Sequence, residues 1–280
     1  MARQKRSENT YQKINTIFKR DNKNVIMQYA GFVTPELEYL RSLKWRGEEK
    51  IDGTNIRIEV TPRIEYVIDT VNNIEYEETN EILGVHFDVT IKGKIDNSQI
   101  PSMLKKYMED NYPKEKVLEA IGLKEFIPVN EWVDHKWNDV IDIPKYTIYG
   151  EGYGAKIQKA GENYIKNGVS FVGFDVKVND IYLLTNNRDD IINKLGAPIA
   201  PFIGYFTLDE AIEYVRKGFK SRIAENKDFI AEGLVLRTEL GLKNRRGERL
   251  IIKIKYKDFQ KYRNVYGTDD PVEQIPNEYY

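Results

Sequence analysis

The chain has 280 residues, 41% hydrophobic and 31% charged, with a formal net charge of -1. That is enough to bury one large or two modest cores, and it argues against a uniformly basic nucleic-acid coat. There is no cysteine, and the only two histidines are His86 and His135, which excludes thiol catalysis, disulfides, cysteine-ligated zinc or iron-sulfur centres and a histidine-rich metal site. The chemistry falls to Lys, Arg, Asp, Glu and hydroxyl groups.

Residues 1–24 are polar and basic (Arg3, Lys5, Arg6, Lys13, Lys19, Arg20, Lys23) without an apolar run, so the expectation is no secretory signal, no membrane partner and a cytoplasmic location. Thr34-Pro35-Glu36 ahead of Leu37, Tyr39, Leu40 and Leu43 predicts a short capped helix. Strands are predicted at 54–60, 64–69 and 84–92, followed by a helix over 101–109. Pro113 opens another helix, with Val117, Leu118 and Ile121 on one face and Gly122 as its stop. Further strands are predicted at 126–133, 146–151, 171–177 and 180–184. Thr207-Leu208-Asp209-Glu210 is a capping box for a helix ending near Gly218, with Ala211, Ile212 and Val215 buried. Paired strands at 233–238 and 249–257 flank the turn Arg245-Arg246-Gly247, and periodicity is lost after about residue 260. This order predicts an α+β protein, antiparallel-rich rather than a βαβ repeat. Neither a dinucleotide fingerprint nor a Gly-x-x-x-x-Gly-Lys phosphate loop is present.

Lys50-Ile51-Asp52-Gly53-Thr54-Asn55 places an amine on a tight turn at the mouth of a strand, a position suited to a nitrogen nucleophile. Period two then puts Asn55, Arg57 and Glu59 on one face, free to meet a ligand, and Ile56, Ile58 and Val60 on the other. Lys253, Lys255 and Lys257 share a face opposite Ile252, Ile254 and Tyr256. Stacked ammoniums seek a polyphosphate, or else they protect an exposed edge strand. Glu151, among Gly150, Gly152 and Gly154, and Glu232, before Gly233-Leu234-Val235-Leu236-Arg237, are carboxylates at element boundaries. Phe174 can stack on a base, with Phe171 as the alternative if the strand parity is reversed. Trp132 and Trp137 are expected in core or hairpin positions. His135 has no identifiable role, and His86 reads as a satisfied strand residue. Lys243, Arg245, Arg246 and Arg249 form a basic turn, either a solvated surface or a polyanion contact.

Together these segments resemble the ATP-dependent RNA ligases of the bacteriophage RNA-ligase-2 type, in the covalent nucleotidyltransferase superfamily that also holds DNA ligases and mRNA capping enzymes. The Lys50–Asn55 run is similar to the nucleophile motif, Tyr149-Gly150-Glu151 to the ribose motif and Gly154-Ala155-Lys156-Ile157-Gln158-Lys159 to the segment that follows it. Phe174-Asp175 is similar to the adenine-stacking pair, Glu232–Arg237 to the acidic motif near the metal, and Ile252-Lys253-Ile254-Lys255 to the two-lysine phosphate motif.

The resemblance, over roughly residues 45–258, implies a nucleotidyltransferase catalytic fold of the ligase, capping-enzyme and ATP-grasp-like kind. It also implies ATP with Mg2+ or Mn2+ as cofactors, and repair of RNA. It makes Lys50, Glu232, Lys253 and Lys255 catalytic. Asp52, Gly53, Asn55, Lys94, Glu151, Phe174 and Arg237 join these four around the nucleotide, and Glu151 and Glu232 serve the metal. Lys94 stands where the family usually has an arginine, which loses a bidentate fork that Arg57 or Arg63 could replace. Only 25 residues follow Lys255, so the resemblance implies a minimal, monomeric catalytic domain over 45–260 with a tail over 261–280. The 1–44 extension, packed on or beside that domain, or an accessory protein or domain would then assist in engaging RNA ends or a nicked duplex with an RNA 3′-hydroxyl strand. A free lysine is neutral only about once in a thousand at about pH 7.4, a handicap of roughly 4 kcal/mol that the site must reduce. DNA ligation, guanylyl transfer for capping, and nucleotide or nucleic-acid binding without turnover stay open as alternatives.

Overall fold

The computed structural model describes residues 9–69, 77–128, 131 and 143–272, and leaves the side chains of 67–69 and 77–81 undescribed. Arg3, Lys5, Arg6, Trp132, His135 and Trp137 lie outside the described residues. In chain order the elements are β1 (Asn15–Thr16), α1 (Pro35–Tyr39), β2 (Trp45–Lys50), β3 (Thr54–Asp69), β4 (Glu77–Gly93), α2 (Ser102–Asn111), α3 (Lys114–Ala120), β5 (Phe126–Pro128) and β6 (Tyr146–Gly154). They continue with α4 (Gly161–Tyr164), β7 (Val169–Val178), β8 (Ile181–Tyr182), α5 (Thr185–Lys194), β9 (Phe202–Phe206), α6 (Leu208–Lys217), β10 (Gly233–Arg237), β11 (Ile251–Lys255) and α7 (Tyr256–Tyr266). The chain divides into two compact units, each built on its own sheet.

One unit takes the described residues within Met1–Tyr11, Thr54–Gly152 and Val169–Ile199. Its sheet has the order β5-β4-β3-β6-β7-β8. The two strands predicted at 54–60 and 64–69 are one continuous strand, β3, antiparallel to both β4 and β6. Ile56, Ile58 and Val60 are fully buried as their alternation requires. Glycines in β6 let neighbours close in: a Cβ on Gly150 would meet the Phe171 ring, and one on Gly152 would meet Leu104 of α2. The α3 helix starts after Pro113, buries Val117 and Leu118, and stops at Gly122, whose φ is +75°. His86 is a satisfied strand residue, with Nε2 2.7 Å from Glu65 Oε2 and its ring beside Phe126.

The other unit takes the described residues within Gln12–Gly53, Tyr153–Gly168 and Ala200–Tyr280, around a sheet of order β1-β11-β10-β2-β9. Leu234, Leu236, Ile252, Ile254 and Trp45 on one sheet face pack with Leu208, Ala211, Ile212 and Val215 of α6 and with Phe259 and Tyr262 of α7. Ile17, Phe18, Val25, Ile26 and Phe32 complete that core, so part of the segment expected as an extension is core here. The α6 capping box forms as predicted: Thr207 Oγ1 accepts from Glu210 N, and Glu210 accepts from Thr207 N.

Three expectations are corrected. Thr34 makes no side-chain cap bond, and of the apolar set in and after α1 only Leu37 is buried, Tyr39 being 87% exposed. The strand predicted to 257 ends at Lys255, and 256–266, read as the end of that strand and an aperiodic run, is helix α7. Its buried Phe259 and Tyr262 fall three apart, on one helical face. Last, β11 lies between β1 and β10, which removes the protected-edge reading of its lysines.

Candidate active site

Lys50 is the last residue of β2, and the turn Ile51–Gly53 follows it. The register puts Gly233 of β10 between Lys50 of β2 and Lys255 of β11. With no side chain at the middle position, both lysines reach Glu232, the residue just before β10. Lys50 Nζ donates to Glu232 Oε2 at 2.6 Å and Lys255 Nζ to Oε1 at 2.7 Å. Only glycine fits at 233: its φ is +150°, and a Cβ would lie 1.9 Å from the Ile254 carbonyl oxygen.

The cluster is largely enclosed, with side-chain exposures of 8% for Glu232, 20% for Lys50 and 17% for Lys255. Burial pushes the Glu232 carboxyl up, but Lys50 and Lys255 outweigh it and hold the group below its ordinary value. Lys253, two residues before Lys255 on the same strand face, is half-buried and carries a proton less readily. Burial first, then Lys255 and Lys50, bring its pKa down to about 8. Asp52 is raised by burial and by Glu232, against the pull of Lys50, Lys257 and Lys255. Lys257 itself is not on the strand row; it is exposed in the first turn of α7.

The same sheet face carries Arg46 and Glu48 of β2 and Arg237 of β10. Glu48, 1% exposed, accepts from Arg237 Nη2 at 3.2 Å and Arg46 Nε at 3.1 Å. Arg237, assigned to the nucleotide by its motif, is therefore engaged by a carboxylate that the sequence reading did not single out. The only sequence signal for Glu48 was its spacing of two from Lys50.

Asn55, Lys94, Glu151 and Phe174 belong to the other unit. Asn55 and Glu151 are cross-strand partners, Glu151 inside β6 rather than at a strand end. Asn55 Oδ1 is buried with no hydrogen-bond partner among the described residues, an acceptor suited to a ligand hydroxyl or amino group. Phe171 is fully buried, while Phe174 is partly exposed, with Tyr11 edge-on at 5.1 Å. Tyr11 also donates to Asp175 Oδ2 at 2.7 Å.

The polar row on β3 does not face open solvent. Arg57 and Glu59 are buried, Arg57 Nε donates to Glu59 Oε1 at 2.5 Å, and Lys92 Nζ is 2.8 Å from Glu59 Oε2. Arg57 also pairs with Asp96 and donates from Nη1 to the Lys94 carbonyl at 2.9 Å. It thus holds the backbone of the exposed Lys94 turn, while Arg63 pairs with Asp88 at 3.2 Å.

Among the described residues no group of three or more His, Cys, Asp or Glu could hold a metal ion. Glu232, and in the other unit Glu151, are each a hard oxygen donor of the kind that Mg2+ accepts when substrate phosphates and water complete its shell. No helix among the described residues is long and apolar enough to cross a membrane.

The model of the RNA ligase family matches residues 43–255, and among curated proteins no sequence matches. Solved structures of the RNA ligase of Naegleria gruberi are similar in fold. A substituted form without ligand aligns with TM-score 0.50 at 15% identity over 95% of this chain and 64% of that one. A substituted form with ATP and Mn aligns with TM-score 0.50 at 13% identity over 94% and 60%. The chain thus spans about three-fifths of the length of those structures. The shared architecture is α+β, mixed sheets flanked by helices.

Proposed function

The chain belongs to the RNA ligase family, and from that premise we propose that it is an ATP-dependent RNA ligase of the bacteriophage RNA-ligase-2 type, joining 5′-phosphate to 3′-hydroxyl ends. The observation that carries the reading is the Lys50–Glu232–Lys255 bridge with Lys253 beside it. It combines one candidate nucleophile, one carboxylate and two further ammoniums on a single sheet face.

In the first step the Lys50 amine attacks the α-phosphorus of ATP. The N–P bond forms as the P–O bond to pyrophosphate breaks, and the nitrogen, neutral at the moment of attack, loses one of its two protons to solvent and keeps the other, leaving lysine-AMP. Lys253 and Lys255 take up charge developing on the phosphates. The Glu232 bond fixes the direction of the amine but also favours its ammonium form, a hold that a second cation on that carboxylate would weaken. A divalent cation, were Glu232 to hold one, would supply that charge and polarise the phosphate; Glu151 is a metal contact by its motif alone. AMP then passes to a 5′-phosphate end, and a 3′-hydroxyl displaces it to form the phosphodiester. Asn55, Lys94, Glu151 and Phe174 enter the proposal as nucleotide contacts through their motifs, and Asn55 also through its unpartnered oxygen.

DNA ligation and guanylyl transfer use the same lysine chemistry. Labelled ATP or GTP, followed by end-joining on matched RNA, DNA and hybrid nicks, separates them. The expected result is adenylylation and preferential sealing of the nick with an RNA 3′-hydroxyl strand. Equal or better sealing of all-DNA nicks would overturn the RNA assignment, and the absence of any covalent label would leave a binding module.

A further inference from the structure

We propose that Tyr164 is a positioning residue for the nucleophile, its buried hydroxyl fixing the backbone of the turn that leaves Lys50. The inference rests on the reading of Lys50 as the nucleotide-accepting lysine and adds to it a group outside the five motifs.

Lys50 ends β2, and nothing in the strand ladder holds the residues after it. The turn is held instead by side chains from the 154–164 segment. The Asp52 N–H donates to Tyr164 Oη at 3.1 Å, and Gln158 Nε2 donates to the Gly53 carbonyl at 3.1 Å. The Lys50 ammonium itself donates to the Ile51 carbonyl at 3.3 Å, so a shift of this turn moves a group in contact with the nucleophile.

Tyr164 is suited to such a role because it is itself fixed. It is fully buried, with Phe229 at 5.1 Å and Tyr153 at 5.8 Å, both nearly perpendicular to its ring. Its carbonyl accepts from Glu225 N at 3.0 Å, and the Asn163 carbonyl accepts from Asn226 N at 3.0 Å. The short α4 helix that carries it lies against the end of β6, where a Cβ on Gly161 would be 1.9 Å from the Gly154 carbonyl oxygen. Burial, reinforced by the Glu49, Glu232 and Asp52 carboxylates, pushes the phenol above its ordinary value, so a neutral oxygen accepts the Asp52 bond at any working pH.

The geometry makes Tyr164 matter for attack by Lys50 and not for chemistry that bypasses it. Tyr164→Phe keeps the ring and its packing and removes only the oxygen. With the intact chain, ATP and magnesium, the rate of covalent labelling at saturating ATP is expected to fall roughly ten- to a hundredfold, with the KM for ATP changed less than about threefold. Sealing of pre-adenylylated RNA, which needs no attack by Lys50, is expected to stay at the parent rate. Labelling at the parent rate would overturn the inference, and so would an equal fall in both activities, which would make Tyr164 a general structural residue. Absence of label on the parent protein would instead strike the reading of Lys50 and this inference with it. Gln158→Ala, at an exposed side chain, provides a second test should Tyr164→Phe not fold. The same split is expected, with a smaller loss of about two- to fivefold, and no split would count against the inference.

Discussion

Lys253 should be a stability liability that the fold carries for the sake of its chemistry. Its ordinary value of 10.5 falls to about 8 because burial, Lys255 and Lys50 all oppose its charge. At about 1.4 kcal/mol per pH unit that difference corresponds to about 3 kcal/mol, and solvent screening of a half-buried amine reduces it to roughly 1–2 kcal/mol. A lysine with a depressed folded-state value binds fewer protons folded than unfolded between pH 8 and 10.5. Its penalty is therefore complete below about pH 8 and relieved as pH rises toward 10.5. Lys253→Met keeps an unbranched apolar stem of similar length and removes the charge. Urea unfolding at pH 7 should show the variant more stable by about 1–2 kcal/mol, the gain shrinking by pH 10, while ATP-dependent labelling is lost. A variant less stable than the parent at pH 7, or a gain unchanged between pH 7 and 10, would show that the Lys253 charge is not destabilising.

Glu232→Gln removes the charge from both bridges. Thermal unfolding in a metal chelator should show a loss of about 2 kcal/mol, or roughly 4–8 °C, and labelling should drop at least about tenfold. Gly233→Ala forces a Cβ against the Ile254 carbonyl oxygen, and circular dichroism on heating should show about 3 kcal/mol or more of destabilisation. The turn of exposed Lys243, Arg245 and Arg246 is stiffened by Asn244 Oδ1, which accepts from Arg246 N and Glu248 N at 2.9 and 3.0 Å. Changing the three to Ala should weaken RNA binding, and lower its salt slope by about 0.7 for each phosphate no longer neutralised, without changing adenylylation of the protein.

The sequence made local patterns legible and left long-range charge pairing hidden. The capping box at Thr207 and the hairpin arms around the Arg245–Gly247 turn needed only nearby residues, and both formed. Strand β2 was missed because Trp45-Arg46-Gly47-Glu48-Glu49-Lys50 is mostly charged and lacks β-branched residues. Its buried glutamates are satisfied from far along the chain, Glu48 by Arg237 and Glu49 by Ser221 Oγ and Arg222 N. The β9 strand Phe-Ile-Gly-Tyr-Phe drew no prediction although its composition suits a strand. Helix α5 has a polar sequence and buries Arg188 with Ile192. In the site, Lys50, Glu232, Lys253 and Lys255 come together as their motifs implied. The enclosure of Arg57 with Glu59 and Asp96 was invisible, because period two gives the face of a strand and not what covers it.

The most direct measurement is transfer of labelled AMP from ATP to the protein, followed by denaturing electrophoresis and peptide mapping. A covalent adduct is expected on the peptide containing Lys50, absent from Lys50→Ala, with Lys50→Ala still sealing pre-adenylylated RNA. Full labelling of Lys50→Ala would contradict it.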